Sequence, residues 1–122
     1  MDDSDSEATT TALAPTDLAR AIDAGDSVSL LDVRDRDEIE AWAIDGPSVE
    51  RTWVPYAKFV QANVTNTVAD LVAELALDEP VTVVCGRGES SAEVADLLSS
   101  VGVEAHNLAG GMNGWARVYR SA

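Results

Sequence analysis

The chain has 122 residues, enough to bury one core and too few for two domains of ordinary size. It carries 22 acidic against 8 basic residues, a formal net charge of −14 at pH 7, and such a surface repels nucleic acid and acidic membranes, which argues against both as partners. One cysteine and one histidine make neither an internal disulfide nor a plausible structural zinc site.

No apolar run reaches the length of a membrane span, and the acidic N-terminus has neither the basic flank nor the apolar stretch of a signal peptide. The expectation is a soluble cytoplasmic monomer. The acid excess fits a halophilic origin: carboxylates bind water and cations, and near 1 M salt their mutual repulsion is screened within about 3 Å.

Residues 1–9 are rich in aspartate and serine without apolar periodicity, so they read as a disordered acidic tail before a folded domain over 10–122. Residues 10–13 supply a short first strand. Pro15 suits the first turn of a helix, Leu18 and Ile22 give it an apolar face, and Gly25 closes it. Residues 28–33 are apolar enough for a strand buried on both faces, as parallel strands are. Asp32 and Arg34 stand at its carboxyl end, where open α/β sheets bind ligands. Their expected part is supporting: contact with each other or with loop backbone nearby.

Residues 36–41 read as a short helix and 49–54 as a strand stopped by Pro55. The spacing of Tyr56, Phe59, Val60 and Val64 predicts an amphipathic helix over 56–64. Asn63-Val64-Thr65 matches a glycosylation acceptor, a chance match in a chain without a secretion signal. Thr67 and Asp70 are placed to cap a helix whose buried stripe is Val68, Leu71, Val72 and Leu75, and Pro80 punctuates the chain after it.

The stretch Val81-Thr82-Val83-Val84-Cys85-Gly86-Arg87-Gly88-Glu89-Ser90-Ser91 is the most informative. A β-branched run ends on the only cysteine, passes through a loop with two glycines and enters a segment where Val94, Leu97, Leu98 and Val101 recur at helical spacing, closed by Gly102. Ser90 is placed to cap this helix and Glu93 to complete a capping box. Gly86 and Gly88 supply the positive φ that a tight cradle needs. A thiol held against a helix N-terminus is shifted toward its nucleophilic anion, so a reactive Cys85 is the expectation from this loop. Residues 103–108 form a last strand, after which Gly110-Gly111 turns the chain into a short helix anchored by Trp115. His106 reads as a packed or partly exposed side chain, not as a base for Cys85. Strands alternating with helices predict an α/β domain with a mostly parallel sheet of about five strands and helices on both faces.

Three segments in order resemble one family. Cys85-Gly86-Arg87-Gly88-Glu89-Ser90-Ser91 is similar to the active-site loop of small single-domain rhodaneses, some of which read Cys-x-x-Gly-x-Ser-Ser. Leu30-Leu31-Asp32-Val33-Arg34 and Asn107-Leu108-Ala109-Gly110-Gly111-Met112-Asn113-Gly114-Trp115 are similar to two further signatures. The resemblance implies a rhodanese-like domain and a sulfurtransferase without metal or organic cofactor. In such an enzyme Cys85 takes a sulfane sulfur from a small anionic donor such as thiosulfate, or from another persulfide. The Cys85 persulfide then passes it to cyanide, a thiol or a sulfur-carrier protein. Gly86, Arg87, Gly88, Glu89, Ser90 and Ser91 would bind the substrate. Arg87 would orient an anionic donor or simply pair with Glu89, which itself opposes anion binding. Two alternatives stand beside this: a non-catalytic rhodanese-like module that binds or regulates a partner, and a cysteine phosphatase or arsenate reductase. The phosphatase pattern Cys-x-x-x-x-x-Arg grips an oxyanion bidentately, and here Ser91 occupies the arginine's place.

Overall fold

Apolar runs too short for helices become the strands of a single sheet. The computed structural model describes residues 12–119; the tail expected over 1–9 and residues 10 and 11 of the first strand lie outside the described residues. The strands are β1 (Ala12–Leu13), β2 (Val28–Asp32), β3 (Val49–Trp53), β4 (Val81–Val84) and β5 (Ala105–Leu108). The helices are α1 (Pro15–Asp23), α2 (Arg36–Ala41), α3 (Tyr56–Thr65), α4 (Val68–Leu75), α5 (Glu89–Ser100) and α6 (Gly111–Tyr119). Every strand pair is parallel, in the order β1-β5-β4-β2-β3, which is the α/β architecture the alternation predicts. Among the described residues no helix is long and apolar enough to cross a membrane.

The two faces of the sheet carry separate cores, because side chains along a strand alternate between faces. On one, Leu31, Val81, Val83 and Cys85 pack with Phe59 of α3 and Val94, Ala95 and Leu98 of α5. On the other, Leu30, Val84 and Leu108 pack with Leu18 of α1 and Met112 and Trp115 of α6. Trp115 is the expected core anchor.

Three local expectations are corrected. On α3, Phe59 and Ala62 are buried while Val60 is exposed and Val64 is 79% exposed, because Val60 and Val64, four residues apart, share the helix face opposite Phe59 and Ala62. At α4, Thr67 is the N-cap residue without a side-chain cap bond, its hydroxyl pairing instead with that of Thr65 at 2.8 Å. At α5 the N-cap is Gly88, not Ser90, and it too lacks a side-chain cap bond. Glu93 turns away from the helix start and accepts a 2.7 Å hydrogen bond from the Tyr56 hydroxyl. Helix α5 ends at Ser100, one residue before Val101, which is left exposed.

Sheet order fixes where the site lies. After β2 the chain continues to β3 on one side, and after β4 it continues to β5 on the other. The connections therefore diverge above the carboxyl ends of β2 and β4, the crevice where open parallel sheets bind ligands. Asp32 pairs with Val84 at these ends, and the Val33 N–H donates to the Val84 carbonyl at 3.0 Å, immediately before Cys85.

Candidate active site

Cys85 is buried, 6% exposed, at the bottom of the loop that joins β4 to α5. The Gly88 N–H donates to Cys85 Sγ at 2.9 Å. The Cys85 thiol donates to Ser91 Oγ at 3.3 Å, and Ser91 is itself fully buried; the same hydroxyl, turned about, donates to a thiolate. The sulfur thus has one backbone donor and one adaptable hydroxyl against it, at the N-terminus of a twelve-residue helix.

What shapes the loop is the treatment of its carbonyls. The Met112 N–H donates to the Cys85 carbonyl at 2.8 Å and the Asn113 N–H to the Gly86 carbonyl at 3.0 Å. Asn107 Nδ2 reaches the Gly88 carbonyl at 3.5 Å. A trans peptide holds its N–H opposite its C=O, so the N–H groups of Gly86, Arg87 and Glu89 are turned to the other side, away from α6 and β5. The first turn of α6 spends its unpaired donors on this loop.

Two glycines make that contact possible. Gly88 has φ +99°, and a Cβ there would lie 3.1 Å from the Gly110 nitrogen. Gly111 has φ +59°, and a Cβ there would overlap the Cys85 carbonyl oxygen and stand 2.7 Å from the Gly86 carbonyl carbon. Gly86 is a correction: it is not among the glycines with positive φ, and a Cβ on it would meet nothing within 4 Å. The tight glycine of the site is Gly111, which comes from another part of the chain.

A pocket of about 290 Å³ lies at the Cys85 loop, lined by Glu38, Cys85, Gly86, Arg87, Glu89, Ser90 and Asn113. Of the residues expected from the sequence, Cys85, Gly86, Arg87, Glu89 and Ser90 meet here, with Gly88 and Ser91 holding the sulfur from behind. Glu38 and Asn113 join them from α2 and α6; nothing in the linear pattern marks Glu38, and Asn113 stands in the 107–115 signature without being singled out for the site. Arg87 Nη2 lies 3.9 Å from Glu89 Oε1, both side chains well exposed. His106 is on β5, 3.6 Å from Glu104, and does not line the pocket.

Asp32 and Arg34 do not line the pocket either. They form a buried pair, Arg34 Nη2 to Asp32 Oδ2 at 2.9 Å and Nε to Oδ1 at 3.0 Å. The Arg34 N–H also donates to Asp32 Oδ1, Nη1 donates to the Glu38 carbonyl at 3.3 Å, and the Trp53 indole donates to the Arg34 carbonyl at 2.8 Å. The pair braces the turn from β2 into α2, and with it the position of Glu38. Among the described residues no group of three or more His, Cys, Asp or Glu side chains is placed to hold a metal ion.

A five-stranded parallel α/β sheet with a single cysteine cradled at its switch point defines the class of the fold. The chain belongs to the rhodanese-like family: the model of the Rhodanese-like domain matches residues 14–118. It is 32% identical over 95 residues to a thiosulfate sulfurtransferase GlpE of Tolumonas auensis, covering 76% of each chain. In fold it is similar to reduced Bacillus anthracis CoADR-RHD, with TM-score 0.67 and 20% identity over 92% of this chain, which spans 17% of that one. It is also similar to SSP1007 from Staphylococcus saprophyticus, with TM-score 0.64 and 24% identity, covering 90% of this chain and 97% of that one.

Proposed function

We propose that this chain is a sulfurtransferase in which Cys85 carries the sulfur. The observation that supports it best is the pair of groups around the buried sulfur: the Gly88 N–H, which donates to it at 2.9 Å, and the Ser91 hydroxyl, which accepts from the thiol at 3.3 Å and, turned about, donates to a thiolate. A thiolate nucleophile and a persulfide anion both need such fixed donors beside the charged sulfur. With thiosulfate as donor, the Cys85 thiolate attacks the outer sulfur, the S–S bond of thiosulfate breaks, and sulfite leaves with the electron pair. The Cys85 persulfide remains. A thiolate or cyanide then attacks its outer sulfur, and Cys85 leaves as thiolate.

In this reading Gly86, Arg87, Gly88, Glu89, Ser90 and Ser91 form the cradle, and Asp32 and Arg34 support it from beneath. Phosphoryl chemistry has less support, because the position that would grip the oxyanion is Ser91, buried and turned to the sulfur. The acid excess supports a working environment of high salt, and we place the protein in the cytoplasm as a monomer.

The test is intact mass after incubation with thiosulfate, or with a small-molecule persulfide, followed by cyanide. Wild type is expected to gain one sulfur atom and to lose it to cyanide as thiocyanate, while Cys85→Ala gains none. A folded wild type that gains no sulfur from either donor would sink the enzyme reading and leave the partner-binding module in its place.

A further inference from the structure

The pocket over Cys85 carries more negative than positive charge. Glu38 and Glu89 both line it, and among the described residues Arg87 is its only cationic lining residue. That guanidinium is 76% exposed and already faces Glu89 at 3.9 Å. The other arginines near this end of the sheet are committed elsewhere. Arg34 is buried against Asp32, and Arg36 lies over the Trp53 ring at 5.8 Å and 3.6 Å from Glu40. Glu38 is held in place from both sides: its carboxylate accepts the Asp35 N–H at 3.2 Å and its carbonyl accepts from Arg34. A dianion approaching Cys85 therefore meets two fixed or half-neutralised carboxylates and no free cation among the lining residues. The molecule's charge of −14 adds to the repulsion.

We propose that Glu38 and Glu89 set the donor class of this site: persulfides bearing a cationic group near the reacting sulfur, with thiosulfate and other polyanions disfavoured. This rests on the sulfurtransferase reading above. For a donor RS–SH the step is attack of the Cys85 thiolate on the outer sulfur. The S–S bond of the donor breaks, RS⁻ leaves, and Cys85 becomes the hydropersulfide. The R group stays over the rim, where Glu38 and Glu89 face it.

The experiment compares the persulfides of cysteamine, mercaptoethanol and mercaptoethanesulfonate, which are cationic, neutral and anionic at the far end of similar two-carbon chains. The loading rate of Cys85 is followed by intact mass at one ionic strength, and each rate is divided by that of the same donor with a small free thiol. The cationic-to-anionic ratio on one enzyme cancels its folded fraction, so a destabilised variant still reports. Wild type is expected to favour the cationic donor about tenfold at low ionic strength. In Glu38→Gln/Glu89→Gln the ratio is expected to fall to about twofold, with loading by thiosulfate rising, and in Arg87→Gln it is expected to increase. A wild-type ratio near one, or a ratio that none of these substitutions moves, overturns the inference while leaving sulfur transfer intact. If none of the donors loads Cys85, sulfur transfer itself fails, and this inference with it.

Discussion

Cys85 could be picked out of the sequence because its neighbours announce a strand, a glycine-rich turn and a helix start in succession. Its partners could not. Ser91 looked like one of two interchangeable hydroxyls until the helix phase put it, fully buried, against the sulfur and left Ser90 on the rim. Gly86 and Gly111 exchange the weights that the motif suggests. Gly111→Ala is expected to cost about 2–4 kcal/mol in a denaturant titration, from positive φ and overlap with the Cys85–Gly86 peptide, and to slow sulfur loading. Gly86→Ala, with open space around its Cβ position, is expected to change stability by less than about 0.5 kcal/mol. Tyr56 offers a separate check on side-chain placement. Its hydrogen bond to Glu93 raises its pKa above the ordinary tyrosine value, with smaller help from desolvation and from the Glu93 charge. A raised folded-state pKa means that the bond's contribution to stability is present below the unfolded tyrosine's pKa of about 10 and is lost as pH rises through the folded value. Ultraviolet titration of a Tyr119→Phe background should show Tyr56 ionising late, and Glu93→Gln should bring it back toward the ordinary value.

The elements around the site work through their ends. Helix α5 presents its N-terminus to the sulfur, α6 gives its first N–H groups to the loop carbonyls, and α2 brings Glu38 to the rim. The β2–α2 turn depends on the Asp32–Arg34 pair. Such a pair is weak evidence for stability as a whole, since two charges had to be desolvated, but removing one partner strands the other. Asp32→Ala is therefore expected to destabilise the domain by about 3–5 kcal/mol, measured by urea unfolding, and Asp32→Leu/Arg34→Met by clearly less. Equal losses in the two variants would show that packing, not the stranded charge, dominates. The helices were legible in the sequence, α4 and α5 from periodicity and the others from their punctuation or as short segments between strands, whereas capping was not. Ser90–Glu93 and Thr67–Asp70 have the right spacing for boxes, yet Glu93 bonds across to Tyr56 and the Thr67 hydroxyl pairs with that of Thr65. Meanwhile Asp35 and Glu38, not singled out for capping, do cap α2 through the Asp35 N–H.

Across the molecule, the same charge that argues against nucleic acid as a partner bears on stability. With 22 acidic residues in a chain of 122, self-repulsion opposes the compact state until salt screens it. The melting temperature is expected to rise by several degrees as KCl is increased from about 0.1 M to about 2 M. A flat profile would count against the halophilic reading. The carboxylates at the pocket rim belong to this same field, so screening that steadies the fold also weakens the discrimination among donors.

The α/β class, the parallel sheet, the order of elements and the position of the cysteine at a strand end before a glycine-rich loop were all determined by the sequence, because each depends on short-range periodicity or on a motif contained within a few residues. Only the tertiary structure decided which groups surround that cysteine. Glu38, Asn107, Gly111, Met112 and Asn113 come from segments far from Cys85 in the chain and reach it because β4 lies between β2 and β5. Their contributions are a backbone N–H, a side-chain amide, the absence of a Cβ or the side on which a charge falls, none of which leaves a periodic trace in a linear sequence.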